Sequence, residues 1–335
     1  MLEQGGRLGD GGERLGALLH RHLGSGRRLT QAQFALERVN DSLVRQVLER
    51  MLQEANEGIT RFSKARLHIG RQVASWFPAD ISKADQTADT LLEECILPRL
   101  QLGALDAEYC FRLIKFLHEF SAPNFKLMSL YDRLFNHNRL RAMIFTCTVR
   151  EAEHLARFLR LILADLSKWH GDKSAYEKEA LGLKDLQGTK TRHYLGFATA
   201  FDADGKPTEF VEHDPFKEML FRWHKELNSA LRSCLNGLEW MHIRNAITIL
   251  KGVIDYFPAI NFMAEKFLEQ LKTITEREAA SKNAPESEQQ GHRVDLSVTA
   301  QTTYSELQKR RSKWILVQAF RSGVVSAPAT SARAP

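Results

Sequence analysis

The chain has 335 residues, 43% of them hydrophobic and 26% charged, with a formal net charge of +6. That balance supplies apolar surface for one or two packed units and leaves both an acidic partner and a nucleic acid open as contacts. No stretch approaches the roughly eighteen uninterrupted apolar residues of a membrane helix, and Cys95, Cys110, Cys147 and Cys234 lack the close spacing of a zinc motif or a disulfide scaffold.

Residues 1–29 are rich in Gly and Arg and have little to bury, which predicts a flexible tail. A helical scaffold is expected over 30–275. Its first helix, over 30–63, carries Phe34, Val39, Leu43, Val47, Leu48, Met51, Leu52 and Ile59, with Gly58 as a break. A second short helix over 65–76 ends at Phe77-Pro78, because the residue before proline is pushed out of helical geometry. The apolar run over 91–100 is interrupted by Pro98, where a kink is expected. Asp106 opens a helix with Ile114, Leu117 and Phe120 on its face, and Asn136, His137 and Asn138 read as a turn.

The strongest helical pattern runs over 148–170. Leu155, Phe158, Leu159, Ile162, Leu163 and Trp169 recur in steps of three and four, so they share one face. Thr148 followed by Glu151 fits a capping box. A loop near 182–213 follows, with a small hairpin as one form of it. Its Asp202, Asp204 and Gly205 lack the later ligands of a calcium loop. Asp214-Pro215 restarts helix, with Asp214 as cap and Trp223 on the buried face. Ile247 and Leu250 line the next helix, inside which Gly252 permits close packing. Residues 276–303 are expected as a polar linker. A short basic helix over 304–321 then starts at Ser305 with Gln308 completing a capping box, and 322–335 is expected as a disordered end. The fold class is therefore all-α, with stacked helical pairs in an irregular α-solenoid.

No catalytic residue, cofactor site or metal ligand emerges. His154 sits beside Glu151 and Glu153 but has no second histidine one turn away, and no phosphate loop, nucleophile elbow or dinucleotide fingerprint is present. One chemical candidate remains. Lys309, Arg310, Arg311 and Lys313 precede Trp314, a combination that can hold RNA or DNA phosphates and stack a base. The plainer reading is the solvated face of a terminal helix. A site around His154 or His170 is a third.

Several ordered blocks carry a resemblance. They are Cys95-Ile96-Leu97-Pro98-Arg99; Asp106, Ala107, Tyr109, Cys110 and Phe111; Pro123, Asn124 and Phe125; and Tyr131, Asp132, Arg133 and Phe135. Next come Cys147-Thr148, Glu151, Ala152, Arg157, Phe158, Leu159 and Trp169-His170, then Tyr176, Glu177, Lys178 and Glu179. Trp223-His224-Lys225 with Leu227, and His242-Ile243-Arg244-Asn245 with Ile247, Leu250 and Tyr256-Phe257-Pro258, complete the set. In this order they resemble the large scaffold subunits of the THO complex, a nuclear assembly that couples transcription to mRNA packaging and export. The resemblance implies a helical-repeat scaffold in the nucleus, without enzymatic activity or cofactor. It implies partners among the other THO complex subunits, and an RNA helicase and an mRNA export adaptor reached through the complex. Members of that family are far longer, so the resemblance also implies a segment or a truncated gene model.

Overall fold

Thr148 accepts a hydrogen bond from the Glu151 backbone, while the Glu151 carboxylate accepts from the Thr148 N–H at 2.7 Å. This reciprocal cap starts the helix Val149–Gly171, around which the larger unit of the chain is built. The computed structural model describes residues 31–78, 80–182, 193–202, 207–280 and 293–321. The expected tails 1–29 and 322–335, and Asp204 and Gly205, lie outside the described residues. The chain divides into two units, Met1–Ile69 and Gly70–Pro335.

The first unit contributes most of α1 (Gln31–Gln72), a single helix of 42 residues. Two helices, over 30–63 with an interruption at Gly58 and over 65–76, are expected from the sequence, and the structure has one. A glycine inside a helix costs only about 1 kcal/mol. Glu57 offsets it by accepting from Gln53 at 3.0 Å and from Arg61 at 2.9 Å, each four residues away.

The second unit contains α2 (Ala84–Thr90), α3 (Leu97–Leu100), α4 (Ala104–Glu119), α5 (Leu127–Leu134), α6 (His137–Thr146), α7 (Val149–Gly171) and α8 (Lys173–Glu179). A two-stranded antiparallel ribbon follows, β1 (Ala198–Phe201) with β2 (Pro207–Phe210), paired Ala198 to Phe210 and Phe201 to Pro207. Then come α9 (His213–Leu235), α10 (Trp240–Val253), α11 (Asn261–Ala280) and α12 (Val294–Lys309).

These helices stack in two rows. One row runs α4, α7, α10, α12, each packed on the next, and the other runs α6, α9, α11. Cross-contacts of α9 with α10 and of α11 with α12 join the rows. The unit is a predominantly helical, irregular α-solenoid, with the ribbon as its one sheet among the described residues. Leu155, Phe158, Leu159, Ile162, Leu163 and Trp169 of α7 are buried, as are Trp223 of α9 and Ile247 and Leu250 of α10. Trp169, Tyr176, Phe197 and Phe216 form an aromatic cluster under the ribbon, with Tyr176 and Phe216 centroids 4.5 Å apart.

Three boundaries differ from the sequence reading. A π-helical turn, Leu91–Ile96, joins α2 to α3 ahead of Pro98, whose missing N–H leaves the carbonyl four residues earlier without its usual donor. Helix α9 begins at His213, with Glu212 at the N-cap, so Pro215 sits inside the first turn. Asp214 pairs with Lys217 at 3.0 Å instead of capping. The last helix starts at Val294 and not at Ser305, so much of the expected polar linker is helix. Thr299, Thr302, Thr303 and Ser305 each turn their hydroxyl back to the carbonyl four residues earlier, which satisfies the polar side chains within the helix. Leu296, Ala300, Thr303 and Leu307 still bury one narrow face.

Candidate functional site

The basic cluster at the end of α12 is split by its surroundings. Lys309 closes the helix and is exposed. Arg310 turns inward to pair with Asp255, which also accepts from Arg160 at 2.8 Å. Arg311 starts a 3-10 turn, Arg311–Lys313, and lies 3.4 Å from Glu265, a pair with both side chains more than half exposed. Lys313 is exposed, and Trp314 is half-buried in extended backbone. Asp255 is the residue that sequence reasoning missed. It is 95 positions from Arg160 and 55 from Arg310, so no local pattern signals it.

A groove of about 900 Å³ runs between α4, α7, α10 and α12. Most of its cations are already paired: Arg157 with Glu108, Arg160 with Asp255 and Lys251 with Glu306, while Arg244 donates to the Thr299 hydroxyl. Such pairing ties helix to helix and leaves no converging acid and base.

The histidines follow the same rule. His154 Nδ1 donates to the Gln101 carbonyl at 3.0 Å, and His170 Nε2 donates to the Ala319 carbonyl at 3.2 Å. The His242 ring stacks on Phe145, with centroids 4.0 Å apart. Burial pushes His170 down to about 4 and His224 down to about 3. Both are therefore neutral at neutral pH, and both are held under Phe320, whose ring lies 4.3 Å from His170 and 5.8 Å from His224. Among the described residues no group of three or more His, Cys, Asp or Glu gathers as a metal would require.

Among the described residues, the largest group of exposed apolar side chains lies on α1. Leu43, Val44, Val47, Leu48, Met51, Leu52, Ile59 and Phe62 are 51–66% exposed. At helical spacing they occupy about half of the circumference, while Arg45, Glu49, Gln53, Glu57 and Lys64 take the other half. A continuous stripe of this kind marks an interaction surface, whereas scattered single hydrophobics would not.

Comparison with known proteins gives this architecture a family. The family model described as Tho2, transcription factor/nuclear export subunit protein 2, matches residues 17–307. The human protein called THO complex subunit 2 is 26% identical over 272 residues, which is 80% of this chain and 15% of the human protein. The protein of that name from Arabidopsis thaliana is 25% identical over 309 residues, 92% of this chain and 15% of the relative. That from Saccharomyces cerevisiae is 24% identical over 169 residues, 50% of this chain and 8% of the relative. The chain thus spans about 15% of the length of its human and plant relatives. With a family model matched over residues 17–307, most of its length, the chain belongs to the Tho2 family.

Proposed function

We propose that this chain is a non-catalytic scaffold segment of a THO-type complex, acting in the nucleus where transcription is coupled to mRNA packaging and export. Its direct partners are other THO complex subunits, and an RNA helicase and an mRNA export adaptor are reached through them. Family membership supports the assignment, and the uncovered stripe of α1 carries it. A scaffold must keep apolar surface for partners after its own core is filled. In this chain the core is filled around α7 and α10, while the eight large side chains of the α1 stripe stay exposed.

The test places charge on the stripe. Leu48→Glu with Met51→Glu keeps two good helix formers and removes the apolar centre. We expect the tagged, full-length gene product carrying these changes to lose THO subunits on capture from nuclei, as read by mass spectrometry. The thermal transition of the solenoid unit should stay where it is. Full retention of the subunits would overturn the assignment of this surface.

A further inference from the structure

We propose that the edge formed by Phe262, Lys266, Arg311, Lys313 and Trp314 binds a single-stranded nucleic acid, with phosphates on the cations and one base on the Trp314 ring. The proposal does not rest on the scaffold reading, since it uses a different unit and a different kind of partner.

The backbone builds this edge from two segments distant in sequence. Ile315 N donates to the Ala259 carbonyl at 2.9 Å, and Asn261 N donates to the Ile315 carbonyl at 3.1 Å. This two-bond clamp, with its parallel bridge between Ile260 and Ile315, sets Trp314 beside the start of α11. Arg311 reaches Glu265, the neighbour of Lys266, so the 3-10 turn lies along the first turns of α11. Phe262 is 36% exposed on that helix, and the Lys266 ammonium stands 5.8 Å from its ring centroid.

The side chains at this edge are available for a ligand. Lys313 is exposed, and among the described residues no acidic side chain pairs with it or with Lys266. The Arg311–Glu265 pair is exposed on both sides, and such pairs contribute little, so a phosphate can displace the carboxylate. Trp314 has neither a ring neighbour nor a hydrogen bond on its indole nitrogen among the described residues. Three of the four other tryptophans differ: Trp169, Trp223 and Trp240 donate to carboxylates. Arg310 does not belong to the site, because Asp255 holds it.

This chemistry selects single strands. A half-exposed ring can stack only on a base whose face is open, and a duplex hides those faces. An acidic peptide would use the cations but leave the ring idle.

The test uses the full chain and fluorescence anisotropy with 12-nucleotide RNA and DNA of one sequence, an RNA hairpin, and a poly-glutamate peptide. Binding of either single strand, weakened about tenfold by Trp314→Ala and restored by Trp314→Phe, supports stacking. Lys266→Ser with Lys313→Ser should weaken the same binding and flatten the log–log salt slope by about 1.4, two phosphates at about 0.7 each. These lysines are exposed, so the thermal transition should hold and the double variant remains informative if Trp314→Ala does not fold. Unchanged affinity in the lysine variant overturns the proposal. So does equal binding of the hairpin with no effect at Trp314, or tighter binding of poly-glutamate, which would make the edge an acidic-protein site.

Discussion

A Cβ placed on Gly252 would lie 2.6 Å from the Cβ of Ala156. Helices α10 and α7 meet at this pair, in the middle of the row that carries the solenoid. The usual effect of Gly→Ala in a helix is a gain of up to about 1 kcal/mol. Here the added methyl has no room, so the sign should reverse. We expect Gly252→Ala to destabilise by about 1–3 kcal/mol in denaturant titration. Ala156→Gly in the same chain should recover part of the loss, and an unchanged or raised midpoint for Gly252→Ala alone would show that the helices can separate freely.

Asn245 ties the two rows together. Its buried side-chain amide donates to the Ile144 carbonyl at 3.0 Å and the Cys147 carbonyl at 2.6 Å, where α6 ends and α7 is about to begin. Both carbonyls lack a helical donor at that junction. Asn245→Leu fills similar volume but strands two buried acceptors, a loss of about 2–4 kcal/mol. A midpoint shift no larger than that of a surface change would indicate that water replaces the amide.

Much of this arrangement is legible in the sequence, for physical reasons. The Thr148–Glu151 cap and the stripe from Leu155 to Trp169 are local, so spacing alone reveals them. Gly252 stands out because a glycine inside an apolar helix needs a reason. Other features depend on partners far along the chain. The ion pairs of Asp255 and the clamp at Ile315 join segments that no periodicity connects. The helix from Val294 to Lys309 escaped because its threonines and serines read as linker. Their hydroxyls are satisfied within the helix, which a one-dimensional pattern cannot register. The stripe on α1 was visible as an apolar face, but only the structure shows that it is uncovered.

Three histidines, His118 and His224 buried and His170 partly buried, predict a pH dependence. Burial pushes His118 and His170 from 6.5 down to about 4, and His224 down to about 3. The unfolded chain takes up these protons near pH 6.5, while the folded chain does not take them up until about 4 or below. Stability is thus fully present above pH 6.5 and falls as pH drops towards 4. Each proton contributes about 1.4 kcal/mol per pH unit, so the slope approaches roughly 4 kcal/mol per unit. Denaturant midpoints measured from pH 7.5 to 5 should show it. His224→Phe should flatten the slope by about a third, and an unchanged slope would assign the effect to other groups.

Asp132 separates a buried bond from an exposed one. Its Oδ1 accepts from Trp223 Nε1 at 2.7 Å and from Arg222 at 2.5 Å. Trp223 is 1% exposed, so its indole N–H has no water to turn to. The Arg222 head group is more than half in solvent and can hydrate if the carboxylate goes. The two bonds share one acceptor atom, yet they should differ in weight. Arg222→Ala removes an exposed ion pair and should cost under about 1 kcal/mol. Asp132→Ala strands the indole N–H beside Tyr131 and Phe135 and should cost about 1–3 kcal/mol. Asp132→Asn keeps an acceptor for the indole while deleting the charge, so it should resemble Arg222→Ala. If Asp132→Asn is as damaging as Asp132→Ala, the charge carries the junction between α5 and α9, and the assignment of weight to the indole bond is wrong.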